Sequence, residues 1–125
     1  MKTNPVGWFE IYVKDLGRAK KFYETVFATE LQKLYAPFAG IELWSFPMRE
    51  NTYGAAGALV QMDGFDSDGN RTIVYFSCDD CAVEAERAVK AGGRIDRPKM
   101  PIGEYGFVSL VIDTEGNMIG LHSMK

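Results

Sequence analysis

The segment Trp8-Phe9-Glu10-Ile11-Tyr12-Val13-Lys14-Asp15-Leu16, running on into Gly17-Arg18-Ala19-Lys20-Lys21-Phe22-Tyr23, has a counterpart sixty-five residues later. There, Ile73-Val74-Tyr75-Phe76-Ser77-Cys78-Asp79-Asp80-Cys81 runs on into Ala82-Val83-Glu84-Ala85-Glu86-Arg87-Ala88. Each copy alternates like a strand, reaches an Asp, and then takes up helical spacing. A repeat of that length is one supersecondary module used twice. Two such modules can enclose a cavity, and the expected site of function is there.

The remaining segments extend the same order. In the first copy a strand over 6–13 sets Trp8, Glu10 and Tyr12 against Phe9, Ile11 and Val13. Asp15 caps a helix whose apolar stripe is Leu16, Ala19, Phe22, Tyr23, Val26 and Phe27. Strands are expected over 30–35, 41–46 and 55–62, with a turn at 36–40 and a loop at 47–53. In the second copy a strand over 72–78 leads to a helix from Asp80 to about Ala91, stopped by Gly92-Gly93. Strands follow over 94–96, 107–112 and 118–123, separated by the Pro98–Gly106 loop and the turn Asp113–Asn117. Each half reads β-α-β-β-β, and the fold class is α+β, two tandem modules in a curved, barrel-like mixed sheet with the helices outside. One domain over 1–125 is expected, with module one at about 6–62, a linker at 63–70 and module two at about 71–123. Within the linker Asp66, Asp68 and Asn70 resemble a calcium loop, but Arg71 and Ser77 stand where that loop needs Gly and an acidic ligand, so a plain turn is expected.

Composition narrows the function classes. Seventeen acidic against fourteen basic residues give a net charge of −3 and no basic stripe, which excludes a nucleic-acid partner. No apolar run has signal-peptide character or membrane length, so a cytoplasmic protein without a membrane partner is expected. The two cysteines are then reduced thiols. Cys78 and Cys81 have redox-pair spacing at a helix start, yet their positions in the repeat suit buried small apolar residues better.

The chain resembles the vicinal-oxygen-chelate superfamily of glyoxalases, bleomycin-resistance proteins and ring-cleaving dioxygenases, closest to its glyoxalase-like subgroup. The resemblance rests on Val13-Lys14-Asp15-Leu16 with Ala19 and Phe22-Tyr23, and on Asp79-Asp80, Ala91-Gly92-Gly93-Arg94 and Asp113-Thr114-Glu115-Gly116-Asn117. It implies a homodimer and a metal bound by one residue from the first and one from the last strand of each half. Those positions map to Trp8, Ile73, Gly57 and Gly120, none of which can ligate. No metal and no cofactor are therefore expected, and the two glycines are expected to leave room for an organic ligand.

Alternation assigns a lining of Trp8, Glu10, Tyr12, Glu42, Trp44, Phe46, Ala55, Gly57 and Leu59 from the first half. The second half supplies Ile73, Tyr75, Ser77, Phe107, Ser109, Val111, Met118, Gly120 and His122. The expected ligand-binding residues are Trp8, Glu10, Tyr12, Trp44, Tyr75, Ser109 and His122, holding a small organic molecule among aromatic side chains. Glu10 is the catalytic candidate, as a general base or a partner for a cationic ligand; equally, it fixes the core by hydrogen bonds. His122, the only histidine, is either a group titrating near neutrality or a surface residue near the end of the sequence. The leading function is metal-free binding of a small molecule. The alternatives are a lactoylglutathione-lyase-like lyase or isomerase, using Glu10 or a metal relocated to Glu10, Glu42 and His122, and a cleft that serves protein association alone.

Overall fold

The computed structural model describes residues 3–64 and 71–125, so the calcium-loop look-alike at Asp66–Asn70 lies outside the described residues. Backbone contacts divide the chain into two units, Trp8–Thr72 and a second made of Met1–Gly7 with Ile73–Lys125. Among the described residues there are two α-helices and eight strands, an α+β fold with parallel and antiparallel pairing. None of the described helices is long and apolar enough to cross a membrane.

The first unit holds β1 (Val6–Tyr12) from Trp8 onward, α1 (Leu16–Phe27), β2 (Gln32–Lys33), β3 (Ile41–Ser45) and β4 (Ala56–Met62). Its strands lie in the order β2-β3-β4-β1, with β1 parallel to β4 and the other pairs antiparallel. As expected, Asp15 caps α1, its carboxylate accepting from the Arg18 N–H at 3.0 Å. At the other end Ala28 adopts the left-handed conformation, φ 49°, and its N–H bonds the Glu24 carbonyl. The core here is Leu16, Leu31 and Leu59, packed by Ile11, Val13, Ala19, Tyr23, Trp44 and Phe46.

The expected apolar stripe of α1 is only partly buried. Phe22 is 60 % exposed, Val26 54 % and Phe27 62 %. Successive residues step about 100° round a helix, so Phe22 turns away from its neighbour Tyr23. Tyr23 points inward to Phe46, edge-on at 5.9 Å, while Phe22 meets Tyr23 edge-on at 5.1 Å and Phe27 stacks on it at 6.4 Å. The aromatic ladder therefore runs from the core to the surface.

The second unit holds β5 (Thr72–Ser77) from Ile73 onward, α2 (Cys81–Lys90), β6 (Arg94–Pro101), β7 (Phe107–Ile112) and β8 (Met118–Ser123). Its order is β5-β8-β7-β6, again with one parallel pair, β5 with β8. The Ser77 N–H donates to the Pro5 carbonyl at 2.9 Å, which ties the N-terminal residues to this unit. Asp80 caps α2 and also accepts from Lys99 Nζ at 2.9 Å. The Lys99 ammonium and the Ala82 N–H hold the Asp80 carboxyl below its ordinary range. Cys81, Ala85, Val111 and Leu121 form the core, joined by Phe76, Cys78, Ala88, Phe107 and Ile119.

β6 is longer than the three residues expected. It runs through Pro98 to Pro101 at the edge of the sheet, where a missing N–H leaves no ladder bond unmade. Its pairing with β7 shifts register between Ile95 and Arg97 and again between Arg97 and Met100. β2 is correspondingly shorter, two residues rather than six.

Candidate functional site

Residues paired across neighbouring strands share a face of the sheet. In the first unit Ile11 and Leu59 pair and both pack under α1. The other face carries Trp8, Glu10 and Tyr12 from β1, opposite Ala56, Ala58 and Val60 of β4, with Leu43 and Ser45 of β3 beyond. Sequence alternation placed the β1 residues correctly, but it put β3 and β4 one residue out of phase. Trp44 and Phe46 belong to the helix-packed side, as do Gly57 and Leu59.

Trp44 is thus separated from Trp8, Glu10 and Tyr12. Its indole N–H donates to Glu42 at 3.1 Å, Lys20 Nζ lies 4.8 Å from its ring centre, and Lys33 reaches Glu42 at 3.6 Å. Trp44 and Glu42 form a charged edge of the helix-covered face with Lys20 and Lys33. Glu42 and Glu10 lie on opposite faces of one sheet, so the relocated metal set of Glu10, Glu42 and His122 is not brought together. Among the described residues no three His, Cys, Asp or Glu side chains cluster at metal-binding distance.

On the helix-free face, Glu10 is 9 % exposed and accepts on both oxygens. The Tyr12 phenol donates to Oε1 at 2.8 Å and the Trp8 indole to Oε2 at 3.2 Å. Residues two apart on a strand point the same way, which lets two aromatic donors flank one carboxylate. With a donor on each oxygen, the plane of the carboxylate is fixed. Ala58 and Val60 behind it are completely buried.

In the second unit Phe76, Val111 and Leu121 pack under α2. The helix-free face carries Tyr75 and Ser77 of β5, Gly120 and His122 of β8, and Val108, Leu110 and Ile112 of β7. Met118 pairs with Ile112 and joins them. Here β5 and β8 follow the expected phase, whereas β7 is reversed: Phe107, Ser109 and Val111 face α2. Ser109 is completely buried and donates to the Arg97 carbonyl at 2.7 Å, so the structure separates it from Tyr75 and His122. Tyr75 is 6 % exposed, and its ring covers Gly120, where an added Cβ would come within 2.2 Å of it. Nε2 of His122 donates to the Tyr105 carbonyl at 2.5 Å.

The strand pairings align the two halves with a one-residue correction. Glu10 lies five residues before Asp15 and pairs with Ala58; Tyr75 lies five before Asp80 and pairs with Gly120. Ala58, not Gly57, is therefore the counterpart of Gly120. The positions at which the resemblance implies metal ligands become Trp8, Ala58, Ile73 and Gly120, which offer an indole N–H donor and no lone pair suited to a cation. These residues do not fit the family's metal. The expected open space at the glycines is also filled: Phe9 lies over Gly57 and Tyr75 over Gly120.

The cysteines behave as core residues. Cys81 is fully buried and its N–H donates to Ser123 Oγ at 2.9 Å. Burial, reinforced by the Glu84 carboxylate, pushes the Cys78 thiol up to about 11. At pH 8 about one Cys78 in a thousand is then thiolate. The expected result with a disulfide-exchange reagent at that pH is slow labelling of native protein and rapid labelling of two thiols in denaturant.

Sequence reasoning missed Arg94, Arg97 and Met100, which pair with Ile112, Leu110 and Val108 and so join the helix-free face of the second unit. The available signal was Pro98 and Pro101 flanking basic residues, a pattern of edge strands with bulges.

Comparison with known proteins agrees with this geometry. The chain is 27% identical over 116 residues to the curated "Putative glyoxylase CFP32" of Mycobacterium bovis and of Mycobacterium tuberculosis, covering 91% of this chain. It spans 43% of the length of those relatives. A solved Streptomyces coelicolor methylmalonyl-CoA epimerase variant in complex with 2-nitronate-propionyl-CoA superposes with a TM-score of 0.69 at 16% identity, over 95% of this chain and 93% of that one. Methylmalonyl-CoA epimerase from Mycobacterium tuberculosis superposes at 0.72 and 15% identity, over 100% and 93%. At such identities the likeness is one of fold. The family model of the Glyoxalase/Bleomycin resistance protein/Dioxygenase superfamily matches residues 6–121, and the chain belongs to that superfamily.

Proposed function

We propose that the protein binds a small organic molecule on its helix-free sheet faces without a metal ion, as a cytoplasmic homodimer. The observation that supports this most is Glu10, a nearly buried carboxylate clamped between the Trp8 and Tyr12 donors, beside the Trp8 and Ala58 positions at which the resemblance implies metal ligands. Aromatic walls with a few oriented polar groups are the usual construction of a small-molecule site. Tyr75 and His122 extend the same reading to the second unit, while Trp44 and Ser109 leave it.

The test is a thermal-shift screen of a small-molecule library on the full chain, repeated on Glu10→Ala. At a ligand concentration of about 100 Kd, linkage stabilises the folded state by about 2.7 kcal/mol, a readily measured shift. The expected result is at least one ligand whose shift shrinks in Glu10→Ala. A library that shifts nothing, with a dimer whose mass does not change on dilution, supports the association-only alternative instead.

A catalytic reading draws on the same carboxylate. This reading gives Glu10, held in one orientation, the role of a base that takes a proton from a bound carbon acid, and it draws support from epimerases of similar fold solved with acyl-CoA ligands. This lyase or isomerase reading expects solvent deuterium to appear in a substrate incubated with the native chain and not with Glu10→Gln. No exchange with any ligand found in the screen leaves binding alone.

A further inference from the structure

One flank of α1 is apolar and lies outside the core. Arg18, Phe22 and Val26 are four residues apart, so they form one row along the helix. Phe22 and Val26 are each more than half exposed, and neither joins the core around Leu16, Leu31 and Leu59. Scattered exposed apolar residues are ordinary, but two on consecutive turns of one row form a strip of the kind that marks an interaction surface.

The charges of α1 run against its own dipole. Arg18, Lys20 and Lys21 lie in its N-terminal half, its first turn carries no acid and its last turn no base. A single helix favours the reverse arrangement. Lys20 pairs with Glu24 at 3.3 Å, well round the helix from Phe22. Arg18 and Lys21 are exposed, and among the described residues neither is in an ion pair. Past the Ala28 cap, Glu30 is exposed as well and shares a surface hollow with Lys21, Thr25 and Thr29. From one end to the other the flank therefore reads cation, Phe22, Val26, anion. Such an order complements itself when turned about a two-fold axis, because each cation then meets the copy's anion.

We propose that α1 is the contact between the two chains of the homodimer, the second copy's α1 lying antiparallel on it about a two-fold axis between Phe22 and Val26. Phe22 then packs on Val26 of the second copy, and Arg18 faces Glu30 of the second copy. Positions 18 and 30 are centred on 24, as are 22 and 26, so one axis makes both pairings. Residues four apart form the ridges that pack into the grooves of a facing helix. One helix pair buries little area, at the small end of specific interfaces, below about 1,200 Å2 in total, so this dimer is expected to dissociate on dilution. The proposal rests on the homodimer reading above and adds the surface that makes it.

Sedimentation equilibrium of the full chain and four variants tests it: Phe22→Glu/Val26→Glu, Arg18→Glu, Glu30→Arg and the exchange Arg18→Glu/Glu30→Arg. The native chain is expected to be a dimer that dissociates on dilution. Phe22→Glu/Val26→Glu should weaken it by more than about a hundredfold, since charges then face each other across a closed contact. Both positions are exposed and glutamate is a good helix former, so this variant is expected to keep the native helix content. Each single charge reversal should weaken the dimer about tenfold, and the exchange should restore most of that loss. Within one chain the two residues sit at opposite ends of α1, about 18 Å apart, so restoration reads a contact between chains. On the native chain, the Val26 methyl resonances should shift on dilution while those of Val83, exposed on α2, stay in place, a reading that needs no variant. A native chain that is monomeric at the highest concentration overturns the homodimer reading and this proposal with it. A dimer unchanged in Phe22→Glu/Val26→Glu, or one whose Val26 resonances ignore dilution, leaves that reading standing and overturns α1 as its contact. Weakening that the exchange does not restore overturns the antiparallel pairing.

Discussion

Gly57→Ala is expected to destabilise the protein by about 2–4 kcal/mol, a large effect for one methyl group. An added Cβ would lie 2.4 Å from the Phe9 carbonyl oxygen and 2.6 Å from the Phe9 ring. The carbonyl belongs to the parallel β1–β4 ladder and cannot retreat without breaking it, so rotating a side chain does not relieve the clash. Gly17→Ala is the matched control. There the nearest atom is Asp15 Oδ1 at 3.6 Å, an ordinary contact, and within α1 alanine is favoured over glycine by up to about 1 kcal/mol. Urea unfolding of the two variants should therefore move in opposite directions. A neutral Gly57→Ala would mean that the site is open, as the sequence alone suggested.

Removing the Glu10 carboxylate should have an effect of comparable size. Glu10→Ala strands the Trp8 indole N–H and removes the carboxylate that the Tyr12 hydroxyl donates to, and a hydrogen bond to a charged group contributes about 1.5–3 kcal/mol. A loss of about 2–3 kcal/mol is expected, read as a lower urea midpoint at unchanged slope. Glu10→Gln keeps the volume and one good acceptor, while its NH2 meets a donor that cannot reverse if it is the indole. It should fall between alanine and the native chain. Equal stability of all three would show that the clamp is solvated and contributes nothing to folding.

The element order was legible because the two strand-to-helix junctions carry strong, redundant signals. Asp15 and Asp80 sit where caps are needed, and both accept the expected backbone N–H. β1 was legible down to its faces, since Trp8, Glu10 and Tyr12 differ in polarity from Phe9, Ile11 and Val13. β4 and β7 were not. Ala56-Gly57-Ala58-Leu59-Val60 and Phe107-Val108-Ser109-Leu110-Val111 are small or apolar at every position, so no alternation marks which residue faces the helix. β3 misled for another reason: at the margin of the sheet, the helix-packed face is polar enough to hold Glu42 and the Trp44 indole beside Lys20 and Lys33. The candidate site divides along the same line. Glu10 with its aromatic flanks came directly from a patterned strand. Trp44 and Ser109 were misplaced by unpatterned ones, and Arg94 and Arg97 share a face only because of bulges that spacing cannot show.

What most directly tests the account is the metal content of the protein purified without chelators, by mass spectrometry of the elements. Trp8, Ala58, Ile73 and Gly120 leave a cation nothing to hold, and the account predicts no stoichiometric zinc, nickel, manganese or iron. One such ion per chain, surviving dialysis and lost in Glu10→Ala, would contradict it.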